Sequence, residues 1–108
     1  MPTLDDNLKK IDSFSKLPNI NSLDENLVNQ VKMIISKLDN QPEVFVTFRE
    51  SIQIEYCKED GSYLEFEFFK NGKMTIFEID KNENETFKDD LDINIGIIKE
   101  RIQTFLSK

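Results

Sequence analysis

The amino-acid sequence predicts an α+β domain in which helices pack on one face of an antiparallel β-meander. Two hairpin turns separate strand-like segments within residues 52–80, and segments with apolar residues at helical spacing flank this region. The chain has 108 residues, of which 38% are hydrophobic, and this suits one domain with a single core. We therefore expect a single α+β domain over residues 1–108, comprising an N-terminal short helix and loop (1–21), a helix (22–40), a meander of three to four strands (43–80) and a C-terminal helix (91–107).

The two helices that precede the sheet are predicted from the spacing of their apolar residues. These residues recur every three or four positions, at Leu4, Leu8, Ile11 and Phe14 and again at Leu23, Leu27, Val31, Ile34, Ile35 and Leu38. The spacing predicts a short helix over residues 3–15, ended before Pro18, and a longer helix over residues 22–39. Ser22 and Glu25 have the spacing of a capping box. We expect the apolar stripe of the longer helix to lie in the core.

The meander begins with a strand-like segment over residues 44–48, whose register the sequence leaves open. In the next turn, Gly61 can take the positive φ of a three-residue hairpin loop, which pairs Lys58 with Ser62. Counting outward from this loop gives the opposed pairs Tyr56–Leu64, Ile54–Phe66, Ile52–Phe68, Glu55–Glu65 and Gln53–Glu67. All the apolar pairs then share one face, as expected of a sheet that packs on helices from one side.

The second turn contains Asn71-Gly72, a strong signal for a two-residue type I′ loop. Such a loop places Phe66 opposite Phe77 and Leu64 opposite Ile79. The face turned away from the helices is then predicted to carry Gln53, Glu55, Tyr63, Glu65, Glu67, Phe69, Met74, Ile76 and Glu78. In this register Glu55, Glu65 and Glu78 form a row across three strands. Opposed like charges destabilise a sheet, so the row favours a cationic partner, an ion or solvation.

Residues 80–90 are polar and charged, and we interpret them as a connection. Their first part, Asp80 to Thr86, alternates oxygen-bearing side chains as a calcium-binding loop does. Glu85 stands where that loop needs glycine, and Leu91 where it needs a bidentate glutamate, so a solvated loop is the favoured interpretation. Beyond the connection, a C-terminal helix over residues 91–106 is predicted from Leu91, Ile95, Ile98, Ile102, Phe105 and Leu106.

The composition removes several classes of chemistry. The chain has no histidine, so imidazole bases, Ser-His and Cys-His pairs and histidine metal ligands are excluded. Its three glycines, two of them in hairpin turns, leave no glycine-rich phosphate loop. Cys57 is the only cysteine, and we interpret it as an ordinary strand residue. We expect no catalytic residue, cofactor or structural metal.

The charge of the chain indicates what kind of partner it has. A formal net charge of −7 disfavours direct binding to nucleic acid or to anionic membranes and favours a basic protein partner. No apolar run approaches the roughly 20 residues of a membrane span, and the first residues lack the pattern of a signal peptide. We therefore expect a cytoplasmic protein.

The predicted acidic face supports a non-enzymatic function in protein binding. Glutamates beside apolar side chains combine electrostatic steering with anchoring contacts, as in antitoxins, immunity proteins and phage counter-defence inhibitors of basic, nucleic-acid-processing proteins. One alternative is a hydrolase or nuclease that holds a divalent metal with the sheet carboxylates. Another is a self-associating structural protein that uses Phe69, Met74 and Ile76 as a sheet-to-sheet contact, and a third is an acidic face that only keeps the sheet soluble.

Part of the meander also carries a resemblance to a protein family. Residues 42–56 read PEVFVTFRESIQIEY and residues 63–68 read YLEFEF. This order resembles a group of uncharacterised small bacterial proteins that share a Pro-x-Val-x-x-Thr…Ser-Ile-Gln-(Leu/Ile)-Glu-aromatic…Leu-Glu-x-Glu pattern. The resemblance covers residues 42–80 and implies that Gln53, Glu55, Glu65 and Glu67 form a recurring surface; it implies no activity.

Overall fold

The computed structural model describes residues 2–14 and 23–108, and in this part of the chain five strands form one antiparallel sheet in sequential order. The elements are α1 (Leu4–Ser13), α2 (Glu25–Ser36), β1 (Glu43–Val46), β2 (Ile52–Cys57), β3 (Tyr63–Phe68), β4 (Lys73–Ile79), β5 (Glu85–Asp92) and α3 (Ile95–Leu106). The predicted α+β class and antiparallel meander are confirmed, but the sheet has five strands rather than three to four.

Each helix begins at a polar residue that caps its free backbone N–H groups. Thr3 and Asp6 form a reciprocal capping box at α1, and Asn94 accepts the N–H of Ile97 at the start of α3. Helix α2 is capped by Asp24, which accepts the N–H of Leu27. The predicted cap at Ser22 is therefore wrong for this helix. Ser22 itself, like Pro18, lies outside the described residues.

The four hairpins of the meander close in the same way. Each has a three-residue loop closed by one backbone hydrogen bond, in which the N–H of the residue before the loop donates to the carbonyl oxygen of the residue after it. The four bonds run from Thr47 to Ser51, Lys58 to Ser62, Phe69 to Lys73 and Asp80 to Asn84. The last loop residue takes a positive φ each time, at Glu50, Gly61, Gly72 and Glu83. These positions recur at every eleventh residue, so the strands and turns form a backbone repeat although no repeat is visible in the side chains. The loop predicted around Gly61, and the β2–β3 register that follows from it, are confirmed.

The β3–β4 register differs by one residue from the predicted one. A type I′ loop needs a positive φ at both central residues, but only Gly72 has one. The side chain of Asn71 instead accepts the N–H of Lys73 at 3.0 Å, which supports the three-residue loop. Phe66 therefore pairs with Ile76 rather than with Phe77. Because side chains alternate along a strand, this shift moves every residue of β4 to the other face.

Strand β5 replaces the connection predicted over residues 80–90. It pairs with β4 and contains a bulge opposite Met74 and Ile76, where Asp90 takes a positive φ. Seven of its eight residues are exposed and five of the eight are charged, a composition that protects an edge strand from pairing with other chains. The alternation that marks a half-buried strand is therefore missing, and so the sequence pattern did not predict it.

Among the described residues, three helices and the sheet enclose one hydrophobic core. Its largest fully buried side chains are Ile11, Leu27, Ile34, Ile35, Ile52, Ile54, Leu64, Phe66, Phe68, Met74, Ile76 and Phe105. Helix α3 begins at Ile95, after the predicted start at residue 91, because residues 91 and 92 complete β5. Within the described residues, no helix has the length and apolar character needed to cross a membrane.

Candidate acidic docking face

The side of the sheet opposite the helices, which we name the open face, carries a row of side chains across all five strands. Cross-strand pairing aligns Glu43, Glu55, Glu65, Phe77 and Phe87 on β1 to β5 in order. The row is acidic on three strands and aromatic on two. It confirms that Glu55 faces Glu65, and it replaces the predicted third member, Glu78, by Phe77.

Glu55 and Glu65 form the closer of the two types of opposed pair in an antiparallel sheet. Counting from the hydrogen-bonded Lys58–Ser62 pair makes Glu55–Glu65 a non-hydrogen-bonded pair, the type whose Cα atoms approach to about 4.5 Å. The hydroxyl of Tyr63 lies 2.7 Å from Glu55 Oε2 and 2.6 Å from Glu65 Oε1. A phenol has one proton to donate, so it satisfies one carboxylate at a time.

The surroundings of Tyr63 keep its phenol neutral. Burial raises the pKa of Tyr63 well above its ordinary value, and the hydrogen bonds to Glu65 and Glu55 raise it further. The phenol therefore keeps the proton that it donates to the carboxylates. The amide of Gln53 adds only long contacts, at 3.4 Å to Glu55 and 3.5 Å to Tyr63.

No cation of the described residues forms an ion pair with this row, although Arg49, which binds Glu67, also interacts with Glu65 at longer range. The ion pairs found in residues 2–14 and 23–108 involve other carboxylates, and none includes Glu43, Glu55 or Glu65. Glu43 is exposed, and the other two are half-buried. Two opposed carboxylates without a cation repel each other, so a positive group brought to this surface would be bound favourably.

Glu67 lies on the same face but is already bound within the protein. Arg49 donates two hydrogen bonds to its carboxylate, both at 3.0 Å, and Ser51 donates a third at 2.5 Å. Thr47 in turn contacts the Ser51 hydroxyl. Glu67 is 6% exposed, so this carboxylate links the β1–β2 turn to β3 and offers little to a partner. Its predicted position on the open face is confirmed, and its contacts make it structural.

Glu78 belongs to the opposite face, so its predicted place beside Glu55 and Glu65 is wrong. The register shift turns it toward α3, where Lys108 donates a hydrogen bond at 2.9 Å and Arg101 lies 3.6 Å away. Lys58 binds the carbonyl oxygens of Phe105 and Lys108 at the end of the same helix. These contacts tie α3 to the sheet.

The predicted apolar contacts of the open face also change. Met74 and Ile76 are 0% and 1% exposed and lie in the core, so their predicted place on the open face is wrong. Phe69 follows β3 and is half-buried. Met74 and Ile76 therefore cannot take part in the sheet-to-sheet contact predicted for self-association.

Phe77, Ile79 and Phe87 provide the apolar part of the open face on β4 and β5, and Phe45, which is 40% exposed and pairs with Gln53, adds a ring on β1. Phe77 packs edge-on against Tyr63, with ring centroids 6.2 Å apart, and Phe87 is 61% exposed. Sequence reasoning missed this group because the β3–β4 register was shifted and β5 was not recognised. If Gly72 had been read as the last residue of a three-residue loop, as Gly61 was, the predicted register would have placed Phe77 and Ile79 on the open face.

The calcium-like segment and Cys57 are the other chemical features that the sequence analysis singled out. No group of three or more metal-binding side chains converges in residues 2–14 and 23–108. Asp80, which begins the calcium-like segment, accepts hydrogen bonds from the backbone of Asn84 and Asn82 and from the Asn84 amide. The backbone bond from Asn84 is the main cause of its lowered pKa. The pKa of Cys57 is raised by burial, Glu55 and Glu43, which disfavours a reactive thiolate.

Comparison with protein-family models, curated proteins and solved structures found no match to this chain. The resemblance of residues 42–80 to the bacterial group therefore stays a prediction.

Proposed function

We propose that this protein is a non-enzymatic binding module that docks a basic protein on the open face of its sheet. The observation that carries the proposal is the Glu55–Glu65 pair, two opposed carboxylates that share one phenol and form no ion pair with a cation of the described residues. A cationic side chain from a partner would relieve their repulsion. It would also replace the water that solvates them when the partner is absent.

The apolar part of the open face supports durable binding. Strands β4 and β5 place three apolar side chains beside the carboxylates of β2 and β3: Phe77, Ile79 and Phe87. Phe87 is 61% exposed. Interfaces owe most of their affinity to a few buried aromatic or cationic anchors, whereas complementary charge mainly raises the association rate and specificity. The open face offers both kinds of contact within a few strands.

The partner class follows from charge. A net charge of −7 and an uncompensated acidic row complement a protein that is basic because it binds nucleic acid. We propose an antitoxin-like or immunity-like inhibitor, or a phage counter-defence inhibitor, of such a nucleic-acid-processing protein. The cytoplasmic location predicted from the sequence is part of this proposal.

Two double variants with equal changes in charge test the proposal. The open-face variant is Glu55→Gln/Glu65→Gln. The charge-control variant is Glu59→Gln/Glu100→Gln, whose residues are exposed in the β2–β3 turn and on α3. Tagged parent and variant proteins are used to capture partners from cells of the native source. The affinity of each purified partner is then measured at low and moderate salt concentration.

We expect a basic partner that binds the parent and the charge-control variant but binds the open-face variant roughly tenfold more weakly, with a smaller salt dependence. Circular dichroism should show that both variants remain folded. Equal affinity of the two variants would contradict the proposed site. Repeated capture without any basic partner would contradict the proposed function.

A further inference from the structure

We infer that the partner occupies the open face with a basic amphipathic α-helix that lies across the strands. This inference rests on the proposed function and specifies the structural element that the partner uses. The row Glu43, Glu55, Glu65, Phe77 and Phe87 gives the direction of the helix, because it runs perpendicular to the strands over the whole width of the sheet.

The spacing of the acidic residues matches a helix better than an extended chain. Glu43, Glu55 and Glu65 lie on adjacent strands, which are about 4.8 Å apart. Residues on one side of a helix recur once per turn, about every 5.4 Å, with neighbours at three and four positions apart. In an extended chain, side chains on one side are about 6.8 Å apart. Successive helical turns can therefore each offer a cation to successive glutamates.

The width of the sheet gives the length of the helix, and the aromatic end of the row gives the side chains expected at that end of the helix. Five strands span four intervals, about 19 Å, which corresponds to a helix of about 13 residues. Its contact stripe would carry lysine or arginine over the first three strands and apolar side chains over Phe77 and Phe87. Tyr63 and Ile79 lie in the next row and widen the apolar end.

The charge of this protein disfavours a second copy of itself as the occupant. Each copy has a net charge of −7, and a shared open face would bring two acidic rows together. The edge of β5 also disfavours strand addition, because it is interrupted by a bulge and exposes Glu85, Asp89, Asp90 and Asp92. A basic helix avoids both obstacles, since it contacts side chains on the face and needs no free strand edge.

Three synthetic peptides of about 14 residues test this inference. The patterned peptide has three lysines followed by two leucines along one helical stripe. The permuted peptide has the same composition with the lysines distributed around the helix, and the third carries two central prolines that prevent helix formation. Binding to the full chain is measured by fluorescence anisotropy. Backbone amide chemical shifts map the contact, and circular dichroism reports helix formation in the peptide.

The patterned peptide should bind about tenfold more tightly than either control and gain helicity on binding. Its affinity should fall severalfold with the open-face variant and with Phe87→Ser, but not with the charge-control variant. Shifts should be largest for amides in residues 43–45, 53–57, 63–65, 77–79 and 85–87. Absence of binding by the patterned peptide, or shifts confined to other parts of the chain, would overturn the inference.

The peptides also separate this inference from the proposed function. If the permuted or proline-containing peptide binds as tightly as the patterned one and loses affinity with the open-face variant, the helical occupant is wrong while the acidic docking face stands. If native partners bind the open-face variant and the charge-control variant equally, the proposed docking face fails.

Discussion

Glu65 and Glu78 lie on neighbouring strands, one residue apart in register, but in opposite electrostatic surroundings. Glu78 faces the helices, is 9% exposed and contacts Lys108 and Arg101. Glu65 lies on the open face beside Glu55, with a shared phenol. The nearly buried carboxylate therefore has cationic partners from the same chain, whereas the half-buried pair forms no ion pair with a described residue. Which glutamate has which role follows from the β3–β4 register.

Replacing a core residue of β4 should break this arrangement most severely. Ile76→Ala removes a fully buried side chain and leaves a cavity, so the free energy of unfolding should fall by about 3 kcal/mol. Phe77→Ala, on the open face, should cost only about 1 kcal/mol because the ring is half-buried. Urea denaturation of both variants gives the comparison. A larger loss for Phe77→Ala would show that the register is the one predicted for a two-residue loop.

Replacing Glu78 or Glu65 by glutamine should change the free energy of unfolding in opposite directions. Glu78→Gln weakens the contacts of a nearly buried carboxylate with Lys108 and Arg101, so the free energy of unfolding should fall by about 1–2 kcal/mol. Glu65→Gln removes the repulsion from Glu55 and should raise the free energy of unfolding by about 0.5 kcal/mol. Thermal denaturation at low salt measures both changes. Similar losses for the two variants would remove the distinction between a structural carboxylate and a free one.

The turn geometry that sets these registers can be tested by a stabilising change. Glu83 holds a positive φ that costs a residue with a side chain about 1–2 kcal/mol, and Gly72 occupies the equivalent place in the preceding loop. Glu83→Gly should raise the free energy of unfolding by about 0.5–1 kcal/mol after the entropy of glycine is subtracted. Glu85→Gly, in strand β5, is the control and should destabilise the fold. A loss of stability in Glu83→Gly would argue against the shared loop geometry.

The tyrosines provide a spectroscopic measure of the open-face carboxylates. The pKa of Tyr63 is raised by burial and by Glu65 and Glu55, whereas that of Tyr56 is raised by burial alone. In the open-face variant, phenolate absorbance should show one tyrosine titrating at lower pH than in the parent and the other unchanged. Identical titration curves would contradict the shared phenol.

The same shift predicts a dependence of stability on alkaline pH. Because the folded pKa of Tyr63 is raised, its contribution to stability is fully present below the ordinary value of 10.0 and is lost as the pH rises from there toward the folded value. The open-face variant should lose less stability over this alkaline range than the parent. Denaturation at several pH values above 10 compares the two, with the charge-control variant expected to behave as the parent does.

Local chemistry in the sequence predicted a large part of the fold. The apolar spacing of α1, α2 and α3 reflects the helical period, and Gly61 specifies the loop that sets the β2–β3 register. The opposed Glu55–Glu65 pair followed from that register, as did the position of Gln53 opposite Glu67. These features depend on residues close together in the chain, where geometry leaves few alternatives.

Tertiary structure decided what local patterns leave open. Asn71-Gly72 is compatible with a two-residue or a three-residue loop, and the three-residue loop buries Met74 and Ile76 in the core. The edge strand β5 has no apolar alternation because only one residue of it is even half-buried. Arg49 is 18 positions from Glu67, and Lys108, one of the two cations at Glu78, is 30 positions from it. Such contacts depend on packing, so only the folded chain shows that Glu67 and Glu78 form ion pairs while Glu55 and Glu65 form none with a described residue.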